Sequence, residues 1–183
     1  MLYDVCEHFA VCWMESFGAA PVDCHRHSRR PRPGSGARPL PEPTGPIILT
    51  VSGAVEITNS DDGADFDREM LYSLGLTDLV TTTAWTDGPQ TFRGVLLKTV
   101  MERVGAKGTT IKATALNDFT TSIPAEEVSK YNILLASEMN GAEMSRRDRG
   151  PLWIVYPRSD FPELQAPEYN DRWAWQLRTL EIQ

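Results

Sequence analysis

Beyond residue 46 the chain alternates between a β-strand rhythm and a helical one. Ile47-Ile48-Leu49-Thr50-Val51-Ser52-Gly53-Ala54-Val55 is β-branched and apolar, the composition of an opening strand. Asn59-Ser60-Asp61-Asp62-Gly63 predicts a turn, and Asp65-Phe66-Asp67 supplies a cap for a short helix through Leu74 and Gly75. Leu79 to Trp85 is rich in β-formers and is broken by Asp87-Gly88-Pro89. Leu96, Leu97, Val100, Met101 and Val104 then recur at helical spacing and end at Gly105.

The second half continues in short pieces. Ile111 to Leu116 predicts a strand closed by an Asn117-Asp118 turn, and Ser122-Ile123-Pro124-Ala125-Glu126-Glu127 a helix start with proline in its first turn. Ile133 to Met139 and a short return strand flank Asn140-Gly141, the pair that best fits a tight hairpin. Pro151 to Tyr156 predicts a buried strand. Trp173 to Leu177 alternates as a half-buried strand, and Leu180 and Ile182 resume out of phase, as across a bulge. Short strands and few helices in no strict alternation predict an α+β fold with a mixed or antiparallel sheet. No internal repeat is visible.

Ahead of this body, residues 29–46 are dense in Pro, Gly and Ser and predict an extended or disordered linker. The division that follows is a dispensable leader and linker over residues 1–44 and one folded domain over 45–183. The leader shows no basic stretch followed by an apolar core, so no signal peptide is readable in it.

Composition narrows the function. At 183 residues, 41% hydrophobic and 23% charged, the chain is the size and make-up of one globular domain. It contains no apolar run long enough for a membrane-spanning helix. A net charge of −7 argues against non-specific nucleic-acid binding, which needs clustered Lys and Arg against phosphates. A locally basic anion pocket stays open.

The charge is unevenly spread. The first 44 residues hold five basic and five acidic side chains, so the body beyond them carries the whole −7. The cysteines (Cys6, Cys12, Cys24) and histidines (His8, His25, His27) all precede residue 28. A body without Cys or His has no imidazole base, thiolate nucleophile, haem ligand or iron–sulfur ligand. What remains is carboxylate acid/base work, Lys or Tyr chemistry, hard cations on oxygen, or binding without catalysis. Neither Cys24-His25-Arg26-His27 with Cys12 nor the acidic turn at 59–63 has the spacing of a zinc or EF-hand site. No metal site is expected.

Five segments in order resemble the molybdopterin-binding catalytic domain of the sulfite oxidase family, across residues 47–183. They are Phe92-Arg93-Gly94-Val95-Leu96-Leu97, Asn117-Asp118-Phe119 with Ser122-Ile123-Pro124, Met139-Asn140-Gly141-Ala142-Glu143-Met144, Gly150-Pro151-Leu152-Trp153-Ile154-Val155-Tyr156-Pro157, and Arg172-Trp173. The closest likeness is to short, free-standing members of that family. The resemblance implies the family's α+β fold with a mixed sheet, and molybdopterin as the alternative to an expectation of no cofactor. It also implies an exported or periplasmic location.

The departures bear on activity. The family's strand equivalent to Leu79–Trp85 ends in a cysteine whose thiolate ligates molybdenum. Here that position falls near Thr83 or Ala84, and a hydroxyl is a poor substitute for a soft thiolate. The family's histidine before Gly-x-Pro gives way to Asp148 and Arg149, and its arginine in the next strand to Trp153. Thr83, Trp85, Asp118, Arg146, Arg147, Arg149, Trp153 and Arg172 are therefore the candidate lining of a pocket where the cofactor would sit. Arg146 to Arg149 holds the basic cluster of an acidic body, and arginine suits a bidentate grip on carboxylate or phosphate. For Trp85 and Trp153 core packing is the competing role, and for Asp118 turn formation. The expectation is a non-catalytic binding or accessory module for a small anion or a partner protein. The alternative is a molybdenum-cofactor oxidoreductase with altered coordination.

Overall fold

The computed structural model describes residues 38–183; the leader upstream, with its Cys and His residues, lies outside the described residues. Two five-stranded sheets share one continuous cluster of buried side chains. In chain order the elements are β1 (Leu49–Gly53), β2 (Ala64–Phe66), α1 (Arg68–Ser73), β3 (Thr77–Thr82), β4 (Pro89–Leu96), α2 (Leu97–Val104), β5 (Thr110–Ala115), β6 (Thr120–Pro124), α3 (Ala125–Lys130), β7 (Leu134–Met139), β8 (Ala142–Glu143), β9 (Trp153–Val155) and β10 (Leu177–Ile182). Two 3₁₀ turns, Pro162–Gln165 and Pro167–Arg172, bridge β9 and β10.

The first sheet runs β2-β1-β10-β5-β6. Its central strand is the last one in sequence, parallel to β1 and antiparallel to β5, so the sheet is mixed. The second sheet is antiparallel. It runs β3-β4-β7, and β7 also pairs with the short strands β8 and β9. The α+β class with mixed sheet is what the sequence pattern predicts.

Several elements form for the reasons read from the sequence. Asp67 is the N-cap of α1 and accepts the Met70 N–H. α2 buries Leu97, Val100, Met101 and Val104 and ends at Gly105 in the left-handed conformation, φ +63°. Asn140 and Gly141 both have positive φ, as a two-residue hairpin between β7 and β8 requires.

Other elements differ. β4 begins at Pro89 and contains Gly94, two residues that weaken a strand by composition. Pro89 is the first strand residue, and at Gly94 the pairing with β7 shifts register. A side chain at Gly94 would meet the Leu135 carbonyl, so only glycine fits there. Ser122 to Pro124 closes β6 instead of opening a helix, and α3 starts one residue later. Trp173 to Gln176 is not a strand: Gln176 takes φ +53°, and β10 starts at Leu177 with a register shift before Thr179.

Residues 38–44 lie against the body. Leu40 is buried, the Arg103 guanidinium donates to the Pro39 carbonyl, and the Asn59 amide donates to the Pro41 carbonyl. The Asp67 carboxylate accepts the backbone N–H groups of Thr44 at 2.8 Å and Gly45 at 2.9 Å. These donations, led by that of Met70 and then Gly45, hold the Asp67 carboxyl below its usual range. The stretch assigned by composition to the linker thus contributes Leu40 to the core.

Candidate functional site

β3 delivers the chain to Thr83, and Thr83 turns it. Its hydroxyl accepts the Trp85 N–H at 3.0 Å and shares a hydrogen bond with the Thr86 hydroxyl at 2.8 Å. With both contacts made, Thr83 is buried. The turn brings the half-buried Trp85 indole among three others. Its ring centroid lies 5.5 Å from Trp175, 5.6 Å from Trp173 and 6.3 Å from Trp153. Trp153 also meets Phe92 edge-on at 5.3 Å and Trp173 at 6.0 Å, and Tyr156 extends the stack beyond Trp173. Each such pair adds about 0.5–1.5 kcal/mol beyond the area it buries.

The loop from Ser145 to Gly150 flanks this cluster. The Arg149 guanidinium sits 4.9 Å above the Trp153 ring and donates to the Trp85 carbonyl at 3.3 Å. Gln176 fixes the loop from behind: its backbone N–H donates to the Arg149 carbonyl and its side-chain amide to the Arg146 carbonyl. This double hold explains why a non-glycine residue takes positive φ at 176. The indole N–H groups of Trp153 and Trp173 are buried with no hydrogen-bond partner among the described residues.

Of the eight residues singled out from sequence, Thr83, Trp85, Arg149 and Trp153 come together. Arg146 and Arg147 share the loop with Arg149, but both are exposed. Asp118 occupies the exposed β5–β6 turn at φ +62°, and its carboxylate has no hydrogen-bond or ion-pair partner among the described residues. Arg172 is held elsewhere. It pairs with the buried Glu127 carboxylate, which also accepts the Tyr156 hydroxyl at 3.1 Å, and it stacks on Tyr169 at 4.7 Å. Burial pushes the Tyr156 phenol far above its ordinary range, so it stays a hydrogen-bond donor.

Sequence reasoning missed Trp173 and Trp175 as members of the cluster and Glu127 as the partner of Arg172. Trp173 carried a signal, standing in the Arg172-Trp173 segment matched to the family, whereas Trp175 stood only in an alternating apolar stretch; Glu127 carried none, since its partner is 45 positions away. The assembled site offers indole faces, hydroxyls and one guanidinium, without a thiolate or an imidazole. Among the described residues no three His, Cys, Asp or Glu side chains gather as metal ligands.

A family model described as an oxidoreductase molybdopterin binding domain matches residues 67–160, from the α1 cap to just past β9. The sulfane dehydrogenase SoxCD of Paracoccus pantotrophus has a similar crystal structure. Its TM-score is 0.54 at 21% identity, covering 73% of this chain and 37% of that one. The likeness shows the fold, and this chain spans well under half of that relative's length. No curated protein sequence matches the chain.

Proposed function

This chain belongs to the oxidoreductase molybdopterin-binding domain family, and from that premise we propose that it is a non-catalytic binding or accessory module on the family's fold, recognising a small anion or a partner protein. The observation that carries the reading is Thr83. By resemblance the family's molybdenum-ligating cysteine falls near Thr83 or Ala84; alanine has no donor, and the Thr83 hydroxyl is already committed to Thr86 and to the Trp85 N–H. The residues present do not fit the metal. A neutral hydroxyl is a hard donor, where an oxo-metal centre on dithiolene sulfur takes a soft thiolate. The place of the family's strand arginine is taken by Trp153, packed within 6.4 Å of three other indoles.

What this chain's own residues supply is binding chemistry. Arg149 presents a guanidinium held by Trp153 and the Trp85 carbonyl, and Arg146 and Arg147 add exposed charge beside it. The alternative, a molybdenum-cofactor oxidoreductase with altered coordination, draws on one observation: the unpartnered indole N–H groups of Trp153 and Trp173 are donors that an acceptor-rich ligand could use.

Turnover separates the two. Protein produced in a host that makes the cofactor should neither oxidise sulfite nor reduce S- and N-oxides with artificial electron carriers. Turnover that follows the molybdenum content of the preparation would overturn the binding-module reading.

A further inference from the structure

The basic loop at 145–150 has two faces. Arg149 turns toward the tryptophans, whereas Arg146 lines a cavity of about 360 Å³ with Arg68 of α1 and Glu143 of β8. We propose that this cavity is a binding site for a small monocarboxylate with a short apolar body, gripped by the guanidinium groups of Arg68 and Arg146. The proposal deepens the binding-module reading by placing its anion site here, away from Trp153, and it rests on that reading.

Arg68 is set in place before any ligand arrives. It donates to the Tyr72 hydroxyl at 3.2 Å, and that hydroxyl is hydrogen-bonded at 2.9 Å to the buried Ser137 side chain. The same terminal nitrogen, Nη1, also meets the Glu143 carboxylate at 3.2 Å. Glu143 is mostly exposed, so this pair contributes little to stability and exchanges readily with water. The Glu143 carboxylate therefore shows how a carboxylate meets Arg68, and an incoming one can take its place. Arg146 has no acidic side-chain partner among the described residues, while its backbone is pinned by Gln176. Two guanidinium groups against one displaceable carboxylate leave room for one negative charge. The remaining lining is the polar Ser145 and the apolar Pro46, Ile48, Met144 and Pro151. Planar guanidinium forks match carboxylates in geometry, and a cavity of this size with a few convergent polar groups suits a small ligand.

The test is calorimetric titration of the full chain at low ionic strength with 4-methylpentanoate, its neutral isostere 4-methylpentanamide, and acetate. The carboxylate should bind, the amide should not, and acetate should bind at least tenfold more weakly for lack of the apolar body. Arg146→Gln should weaken 4-methylpentanoate about tenfold, as loss of a charge-assisted hydrogen bond does. Glu143→Gln should tighten it several-fold by removing the internal competitor, a sign that a merely structural role would not produce. Both positions are exposed, so these variants keep the fold. Equal binding of acid and amide, no binding at millimolar concentration, or an unchanged affinity in Glu143→Gln would overturn the site. Molybdenum-dependent turnover with 4-methylpentanoate binding intact would sink the non-catalytic reading and leave this site standing. A metal-free, inactive protein that binds no carboxylate would do the reverse.

Discussion

Shortening the chain to begin at Gly45 should cost stability, although composition alone marks everything before that residue as dispensable. Leu40 is 8% exposed, and removing a leucine from that depth costs about 2 kcal/mol. The Asp67 carboxylate would also lose the Thr44 N–H at 2.8 Å, a bond to a charged acceptor of at least about 1.5 kcal/mol, of which the new Gly45 ammonium at the same carboxylate restores part, leaving about 1 kcal/mol. The Arg103 and Asn59 side chains would lose the Pro39 and Pro41 carbonyls, but both bonds are at the surface, and water replaces the lost acceptors at small net loss. The total is about 3 kcal/mol. For a domain of this size that is a fall in melting temperature of about 6–12 °C. The assay is thermal and urea denaturation of two chains, one beginning at Arg38 and one at Gly45. The chain from Arg38 keeps every contact above and is the reference. Leu40→Ala in the longer chain should account for most of the difference by itself. Equal melting of the two chains would refute the reasoning and return residues 38–44 to the linker.

Two further outcomes follow from buried charge. The Asp67 carboxyl is held below its usual range by the N–H groups of Met70, Gly45 and Thr44, so it contributes stability above about pH 4 that is lost as pH falls through its lowered folded value. Asp67→Asn should therefore be less stable than the native chain at neutral pH, and urea midpoints should show that gap closing on acidification. Glu127→Ala should destabilise by about 3 kcal/mol, because it leaves the half-buried Arg172 guanidinium and the buried Tyr156 hydroxyl without their acceptor. Glu127→Ala combined with Arg172→Ala should cost less than the two single changes added together, read from the same denaturation curves.

Local rules account for the elements that the sequence pattern predicts well. α2 carries its apolar stripe and its left-handed glycine, Asn140-Gly141 carries its turn, and β5 alternates buried and half-buried positions along its whole length. The misread elements are those where tertiary context overrides a local signal. Pro89 and Gly94 weaken a strand by composition, yet one sits at the strand's first position and the other where β7 approaches too closely for a side chain. Ser-Ile-Pro imitates a helix start and instead ends β6, whose edge position beside β5 tolerates the proline. Trp173 to Gln176 alternates like a strand, but the chain must turn at Gln176 to hold the 145–150 loop.

The site shows the same division. Thr83, Trp85, Arg149 and Trp153 stand in segments whose order resembles a family, and the fold gathers them. The convergence of Trp173 and Trp175 on Trp85, and the commitment of Arg172 to Glu127, are long-range pairings that no local pattern encodes. Arg68, likewise, is an ordinary helix residue until α1 packs beside the β7–β8 hairpin and brings it to Glu143.

The central claim is that the domain has the family's fold without its metal chemistry, and molybdenum content tests it most directly. The full chain and a variant with Cys6, Cys12 and Cys24 all changed to Ala, which removes every thiol in the protein, are produced in a host that makes the cofactor. Both are then analysed by mass spectrometry for metal per chain. The expected result is far less than one molybdenum per chain in both samples. Stoichiometric molybdenum in both would contradict the account and make the Thr83 hydroxyl, freed from Thr86, or the Asp87 carboxylate the oxygen to examine as a ligand.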